Sequence, residues 1–205
     1  MRPHRFKYVL IAVCVSSAVA LSGAVPAVAR PASVPPLRTA AAAPSLTVLT
    51  DLFAERLLVA DKVAAAKYGT ATPIDDPVRE KAVLDDVAAR AVGLGLDPAA
   101  VTAVFRDQIE ANKLVQRGLY ARWDAHPQER PTERPDLVKE VRPVLDRITT
   151  RLLTALEETE GARAGASCGP RLRVAAVWSA YGHRLDRLHG EGLVRALPSV
   201  CADRS

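Results

Sequence analysis

The pair Asp-Pro occurs twice where a helix would begin, at Asp76-Pro77 and at Asp97-Pro98. An aspartate side chain accepts hydrogen bonds from the first free amides of a helix, and proline suits the first helical position because that position needs no amide hydrogen bond. Apolar residues recur at helical spacing after each pair, and no segment shows convincing strand alternation. The sequence therefore predicts an all-α fold.

We expect one domain, a helical bundle of about five main helices. Gly93 and Gly95 mark the end of the second helix, and Pro143 should either kink the fourth helix or mark its true first turn. The Gly/Ala/Ser-rich residues 161–167 are expected to form a loop. The five helices are predicted over about residues 45–67, 77–95, 98–123, 136–160 and 170–189.

The N-terminus has the pattern of a secretory signal peptide. Residues 2–7 carry three cations, residues 8–21 are mainly apolar, and Ala27-Val28-Ala29 is an A-x-A cleavage site. A retained membrane anchor is the alternative, but the apolar run is short for a span of about 20 residues. We predict a leader over residues 1–29, a flexible Pro/Ala-rich tether over 30–44 and the folded domain over 45–205, in a secreted protein.

Charge excludes some classes of partner. The whole chain has 28 Lys and Arg against 23 Asp and Glu, and the leader holds three of the cations and no acid. Removing the leader leaves 25 cations against 23 acids, with the two signs interspersed. This balance argues against nucleic acid as a partner, and against a membrane partner after cleavage.

Two cysteines remain after cleavage, Cys168 and Cys201, because Cys14 belongs to the leader. In an oxidising compartment a disulfide between them is the default expectation. A zinc site is not expected, since His183 and His189 are six residues apart and fit neither helical ligand spacing.

Arg56 and Lys67 are eleven residues apart on the predicted first helix. At 100° per residue both cations project from one face, with their Cα atoms about 16 Å apart. Val59, Ala60 and Val63 between them form a small apolar floor. Two such cations can bracket a small dianion, although each could also be an ordinary solvated helix charge.

Other polar residues mark the second and third helices. Arg79 and Glu80 follow the cap residue Asp76, where they could be a capping arrangement with surface charges or part of a site. On the third helix three neutral amides recur at i, i+4 and i+8 among apolar neighbours. A buried amide needs a partner, so this row predicts either an interhelical network or a ligand-binding row. The amides are Gln108, Asn112 and Gln116.

Together these segments resemble the secreted, all-helical chorismate mutases, the gamma class of the AroQ fold. The resemblance rests on E-R-L-x-V-A-D-x-V-A-x-x-K (55–67), P-I-x-D-x-x-R (73–79), D-Q-I-E-A-N-K-x-x-Q (107–116) and R-P-x-L-D (142–146), followed by the two cysteines. It covers nearly the whole domain in the same order. It implies conversion of chorismate to prephenate, with no cofactor and no metal.

The resemblance also implies roles for individual residues. Lys67 and Gln116 would be the catalytic donors to the ether oxygen whose bond breaks, and the other residues would bind substrate. Guanidinium forks suit the carboxylate contacts, the amide of Asn112 would reach a carboxylate or hydroxyl, and Glu80 would accept from the ring hydroxyl. The implied substrate-binding residues are Arg56, Arg79, Arg142, Asn112, Glu80 and Asp76.

Some expectations stay open at this stage. Relatives can carry an amide side chain one turn after the second-helix arginine, where this chain has Val83, so Glu80 is the candidate for the hydroxyl contact. Family members are often dimers with each pocket inside one subunit. Trp123 and Trp178 are expected in the core. The alternatives are a non-catalytic exported interaction module, in which the site residues would not converge, and an isochorismate-processing lyase.

Overall fold

The computed structural model describes residues 45–201, and within this range the chain is helical and has no strand. The all-α fold predicted from the sequence is therefore confirmed. The leader and the tether predicted for residues 1–44 lie outside the described residues. The helices in this range are α1 (Thr47–Lys67), α2 (Pro77–Gly93), α3 (Pro98–Ala125), α4 (Arg142–Glu158), α5 (Glu160–Ala164), α6 (Cys168–Gly182) and α7 (Arg187–Arg195).

The two Asp-Pro pairs begin helices as predicted. The Asp76 carboxylate accepts a hydrogen bond from the backbone amide of Arg79 at 2.9 Å, and the Asp97 carboxylate accepts one from the amide of Ala99 at 3.0 Å. Gly95 follows the end of α2 with φ 71°, a left-handed conformation that favours glycine. These caps fix the direction in which α2 and α3 leave the loops.

The fourth helix begins later than residue 136. A short 3-10 turn (Pro127–Glu129) and a π-helical segment (Leu137–Val141) precede α4. Asp136 caps the π-helical segment by accepting from the amides of Val138 and Lys139. Pro143 lies in the first turn of α4, where its missing amide costs no hydrogen bond, so it marks the true first turn.

Two boundary predictions near the C-terminus were wrong. The expected loop over residues 161–167 contains α5, which Arg163 fastens by donating to the backbone carbonyl of Leu156 at 3.0 Å. The expected fifth helix over 170–189 is two helices, because Arg184 adopts φ 52° and the amide of Leu185 bonds back to the carbonyl of Ala180. This bond closes α6, and Asp186 then caps α7 by accepting from the amide of His189.

The core forms around α1, which packs against α3, α4, α6 and α7. Phe53, Leu57 and Ala60 on α1 are fully buried, as is Phe105 on α3. Trp123 belongs to this core, where its ring contacts Tyr68 edge to face. Trp178 does not, since it is 64% exposed on the outer face of α6, so the prediction of a core role for it was wrong.

The predicted disulfide between Cys168 and Cys201 is present, with the two Cα atoms 5.8 Å apart. It joins the first residue of α6 to the segment that follows α7. Because Cys168 is buried, the link is part of the core at this end of the bundle.

Candidate active site

All eight residues singled out for substrate contact or catalysis line one cavity of about 550 Å³. The cavity lies among α1, α2, α3 and α4 and extends to the loop after α1. The sequence predicted these residues from separate segments, and the tertiary fold brings the segments together. The eight are Arg56, Lys67, Asp76, Arg79, Glu80, Asn112, Gln116 and Arg142.

Arg56 is the most enclosed cation of this cavity, with only 7% of its surface exposed. Its guanidinium donates to the hydroxyl of Thr149 at 3.3 Å and lies over the ring of Phe105, 5.9 Å from the centroid. Burial lowers the pKa of Arg56 to about 10, while the charge of Asp146 opposes that shift and Arg79 adds to it. The guanidinium therefore stays charged at neutral pH, and its Nε has no partner among the described residues.

Lys67 is the last residue of α1, and its ammonium fastens the loop that follows. It donates to the backbone carbonyl of Pro73 at 2.8 Å and is 3.5 Å from that of Ile74. Partial burial lowers the pKa of Lys67; Asp76 is the strongest of the acids that oppose this shift. An ammonium has three donors, so one N–H remains for a ligand in the cavity.

The three amides on α3 do not share one role: one belongs to an interhelical network, and the other two line the cavity. Gln108 donates to the backbone carbonyl of Ala196 at 3.2 Å and belongs to an interhelical network outside the cavity. Asn112 donates to the backbone carbonyl of Arg56 at 3.3 Å, and Gln116 donates to Asn112 at 2.8 Å. These two amides line the cavity, and the buried Oε1 of Gln116 has no partner in residues 45–201.

Arg79 and Arg142 stand at the exposed side of the cavity. Arg142 is the first residue of α4, and Arg79 lies in the first turn of α2. Neither guanidinium has a hydrogen-bond or ion-pair partner within residues 45–201. Both are thus available to an anion that enters the cavity.

Lys113 is a cavity residue that the sequence reading did not select. It is buried, and its ammonium is 2.6 Å from Glu110, 3.2 Å from Glu80 and 3.3 Å from Asp75. Burial lowers the pKa of Lys113, but these three acids together raise it above its ordinary value. Lys113 directly follows Asn112 in the third motif, so the sequence shows that it lies near the predicted site. The sequence does not show that its side chain is buried.

Thr149 and Asp146 were also missed. With Arg142 they stand at i, i+4 and i+7 on α4, which is the spacing of one helix face. All three line the cavity, so this spacing was a signal that the sequence contained. Val83 lines the cavity as well, at the position where an amide would be expected from the resemblance.

Comparison with known proteins identifies the family of this site. The family model for chorismate mutase type II matches residues 47–117, which carry seven of the eight predicted site residues. The secreted chorismate mutase of Mycobacterium tuberculosis (strain ATCC 25618 / H37Rv) is 34% identical over 167 residues, covering 82% of this chain and 83% of the relative. The chain belongs to the chorismate mutase family. The family and enzyme class expected from the sequence are thereby confirmed.

Other chorismate mutases agree with this assignment. The secreted chorismate mutase of Mycolicibacterium smegmatis is 33% identical over 166 residues, covering 81% of this chain and 91% of the relative. The crystal structure of the chorismate mutase from Burkholderia thailandensis superposes with a TM-score of 0.72 at 39% identity, covering 76% of this chain and 98% of that chain. Among residues 45–201, no helix is both long and apolar enough to cross a bilayer.

Proposed function

We propose that this chain is an exported chorismate mutase that uses the α1–α4 cavity to rearrange chorismate to prephenate. The reaction is a [3,3] shift in which one C–O bond breaks as one C–C bond forms, with no nucleophile and no obligatory proton transfer. The catalyst needs to hold the reactive chair of a flexible dicarboxylate and to stabilise charge developing on the ether oxygen. One observation carries the proposal: Arg56, Lys67, Arg142 and Gln116 line one cavity.

Arg56 and Arg142 are proposed as the contacts of the two carboxylates. Arg56 is buried and charged, and its buried Nε–H has no partner among the described residues. A buried donor without a partner is rare in proteins, so this one is well suited to a ligand. The guanidinium of Arg142 has no partner within residues 45–201, and Arg79 is proposed to assist with a carboxylate or to order the loop. A planar guanidinium can bind a carboxylate through two parallel hydrogen bonds, which also fixes the orientation of the substrate.

Lys67 and Gln116 are proposed as the donors to the ether oxygen. Lys67 has one N–H left after its two carbonyl contacts, and Gln116 has one N–H left after its bond to Asn112. Both groups are held by the protein before substrate arrives, so little reorganisation is needed in the transition state. A partly desolvated ammonium stabilises developing negative charge more strongly than one in water.

Glu80 is proposed to accept from the ring hydroxyl, with Asp76 placing the loop and Asn112 reaching a carboxylate or hydroxyl. Glu80 is held from two sides, since Lys113 lies 3.2 Å away and the backbone amide of Asp76 donates to it at 3.3 Å. Val83 cannot replace it, because valine has no polar atom.

Two alternatives compete with this proposal. A non-catalytic interaction module does not require Arg56, Lys67, Arg142 and Gln116 to line one cavity. Their common cavity therefore favours an enzyme. An isochorismate-processing lyase could use the same cations, and it would release pyruvate rather than rearrange its substrate.

We also propose that residues 1–29 export the enzyme. The resemblance implies that each pocket lies inside one subunit, and we propose the same for this chain.

The test is to incubate residues 30–205, disulfide-bonded, with chorismate and to follow both the loss of chorismate absorbance and the identity of the product. Prephenate as the product supports the proposal. Chorismate left untouched by a folded protein would favour the interaction module. In a parallel incubation with isochorismate, release of pyruvate without prephenate from chorismate would favour the lyase.

A further inference from the structure

Helix α6 carries an apolar stripe that faces away from the protein. Its four residues recur at i, i+3, i+4 and i+7, so they share one helix face. Trp178 is 64% exposed and Tyr181 80% exposed, which is unusual for adjacent large side chains. The stripe consists of Val174, Val177, Trp178 and Tyr181.

The opposite face of α6 is already used for packing. The residues buried on this face include Leu172, Ala175 and Ala176. Ser179 is also buried there, and its hydroxyl forms hydrogen bonds with Thr50 and Asp51 on α1. A surface helix normally has one apolar face and one polar face, whereas α6 is apolar on both. The outer stripe is therefore not part of the core, and nothing in residues 45–201 covers its apolar surface.

Within the stretch of sequence that carries the stripe, the charged side chains have one sign. Residues 161–185 contain no Asp or Glu, between Glu160 and Asp186. Arg171 and Arg173 fall on either side of the stripe at its start when α6 is viewed along its axis, and Arg184 lies just beyond its end. None of these three guanidinium groups has an ion-pair partner within residues 45–201.

We propose that this face of α6 docks the enzyme on an anionic lipid surface. An exposed helix face that carries aromatic and aliphatic residues, with cations beside them, can lie in the membrane interface with the aromatic rings at the depth of the headgroups. The arginines would contact lipid phosphates, and the stripe would enter the boundary of the acyl chains. The stripe spans only about 10 Å along the helix, so the association is peripheral and reversible.

A second copy of the chain fits this face less well. Two stripes packed together would bring the flanking arginines of one copy close to those of the other, with no acid on either helix to neutralise them. Asp51 on α1 contacts this end of α6, but its carboxylate is already bonded to Ser179 and His183. An anionic surface satisfies both the apolar residues and the cations.

This proposed docking departs from the expectation, drawn from the net balance of cations and acids, that the chain has no membrane partner. It is also independent of the catalytic proposal, because no α6 residue lines the α1–α4 cavity. Variants of the stripe are thus expected to keep full mutase activity, which shows in the same samples that they are folded.

The experiment is co-sedimentation of residues 30–205, lacking the predicted leader, with vesicles of phosphatidylglycerol and with vesicles of phosphatidylcholine. We expect binding to phosphatidylglycerol, weaker binding in high salt and little binding to phosphatidylcholine. The double variant Trp178→Ser/Tyr181→Ser should bind at least about tenfold more weakly. Its matched control is Val92→Ser/Val194→Ser, which removes two valines that are 67% and 68% exposed elsewhere.

The charges are tested by Arg171→Gln/Arg173→Gln, which should lose most of the binding to phosphatidylglycerol. Arg106→Gln/Arg147→Gln changes net charge equally at exposed arginines of α3 and α4 and should bind as the wild type does. Trp178 fluorescence provides a direct signal: its emission should shift to shorter wavelength on phosphatidylglycerol, and Trp178→Phe should abolish the shift because Trp123 is buried.

Three results would overturn the proposal. The first is an active wild type that does not sediment with either vesicle. The second is binding that the stripe variant and its valine control lose equally. The third is a wild-type dimer that Trp178→Ser/Tyr181→Ser converts to a monomer, without vesicle binding, which would assign the stripe to a second copy of the chain.

Discussion

The side-chain amide of Gln116 donates to the Oδ1 of Asn112 across one turn of α3, at 2.8 Å. Asn112 in turn donates to the backbone carbonyl of Arg56 at 3.3 Å. A backbone carbonyl can only accept, so it fixes which end of the Asn112 amide faces Gln116, and thereby which end of the Gln116 amide faces Asn112. The orientation of a proposed catalytic donor is therefore set by the backbone of α1.

Gln116→Glu should make turnover depend on pH. A glutamine donates at any pH, whereas a glutamate donates only when protonated. We expect wild-type kcat to stay nearly flat from about pH 5 to 8, and kcat of the variant to fall as pH rises above the pKa of the new carboxyl group. Steady-state rates across this range check it. A wild type that loses activity steeply near pH 5 to 6 would contradict the role given to Gln116.

Lys67→Ala should lower kcat by about 10²- to 10³-fold, the usual effect of losing one donor to a developing oxyanion. The free energy of unfolding should change far less, because Lys67 is only partly buried. The matched control is Lys62→Ala, an exposed lysine on the same helix, which should leave kcat unchanged. Near-normal turnover of Lys67→Ala would exclude the proposed electrostatic role.

Lys113→Met should raise KM for chorismate about tenfold, with a smaller effect on kcat. It removes the ammonium that holds Glu80 at 3.2 Å and Asp75 at 3.3 Å, so the proposed hydroxyl contact loses its support. Lys81→Met serves as the control, since it removes an exposed lysine that pairs with Asp85 on α2. An unchanged KM for Lys113→Met would show that Glu80 does not depend on Lys113.

His189 should make stability depend on pH. It is buried between α1 and α7, with Asp61 at 2.9 Å and Asp186 at 2.7 Å, and Arg122 is the nearby cation. The hydrogen bond with Asp61, opposed by burial and assisted by Asp186, raises its pKa from 6.5 to about 8. Since the folded-state pKa is raised, the stabilisation is complete below about pH 6.5 and is lost as pH rises through about 8.

The loss amounts to at most about 2 kcal/mol in the free energy of unfolding, from the size of that pKa shift. Urea unfolding below and above this pH range measures it. His189→Gln should remove this dependence, while His126→Gln, at an exposed histidine, should keep it. Equal slopes with pH in wild type and His189→Gln would refute the assignment.

Loss of the disulfide should destabilise the fold by about 3 to 4 kcal/mol in the chain-entropy model, because the bond between Cys168 and Cys201 closes a loop of 33 residues. In the double variant Cys168→Ser/Cys201→Ser, we expect Tm to fall by about 10 °C. The catalytic rate at low temperature should persist, since neither cysteine lines the cavity. Thermal unfolding and the chorismate assay check both statements.

The sequence by itself indicated where α2 and α3 begin and eight of the residues that line the cavity. Asp76 and Asp97 accept hydrogen bonds from amides only two or three residues away, so the adjacent sequence is enough to predict these caps. The shared face of Arg56 and Lys67 can also be predicted from local sequence, because helix geometry alone places residues eleven apart on one face.

Only the tertiary structure decided which polar and aromatic residues are buried, and what they contact. The sequence does not distinguish Gln108 from Gln116, because both belong to the same row of amides on α3. In the structure, however, Gln108 donates to the backbone carbonyl of Ala196, which is far along the chain, whereas Gln116 lines the cavity. Trp123 and Trp178 differ for the same reason, since α6 has one side packed on α1 and its outer side left uncovered. Burial depends on which helices meet, and those contacts join residues too distant in sequence for local spacing to reveal.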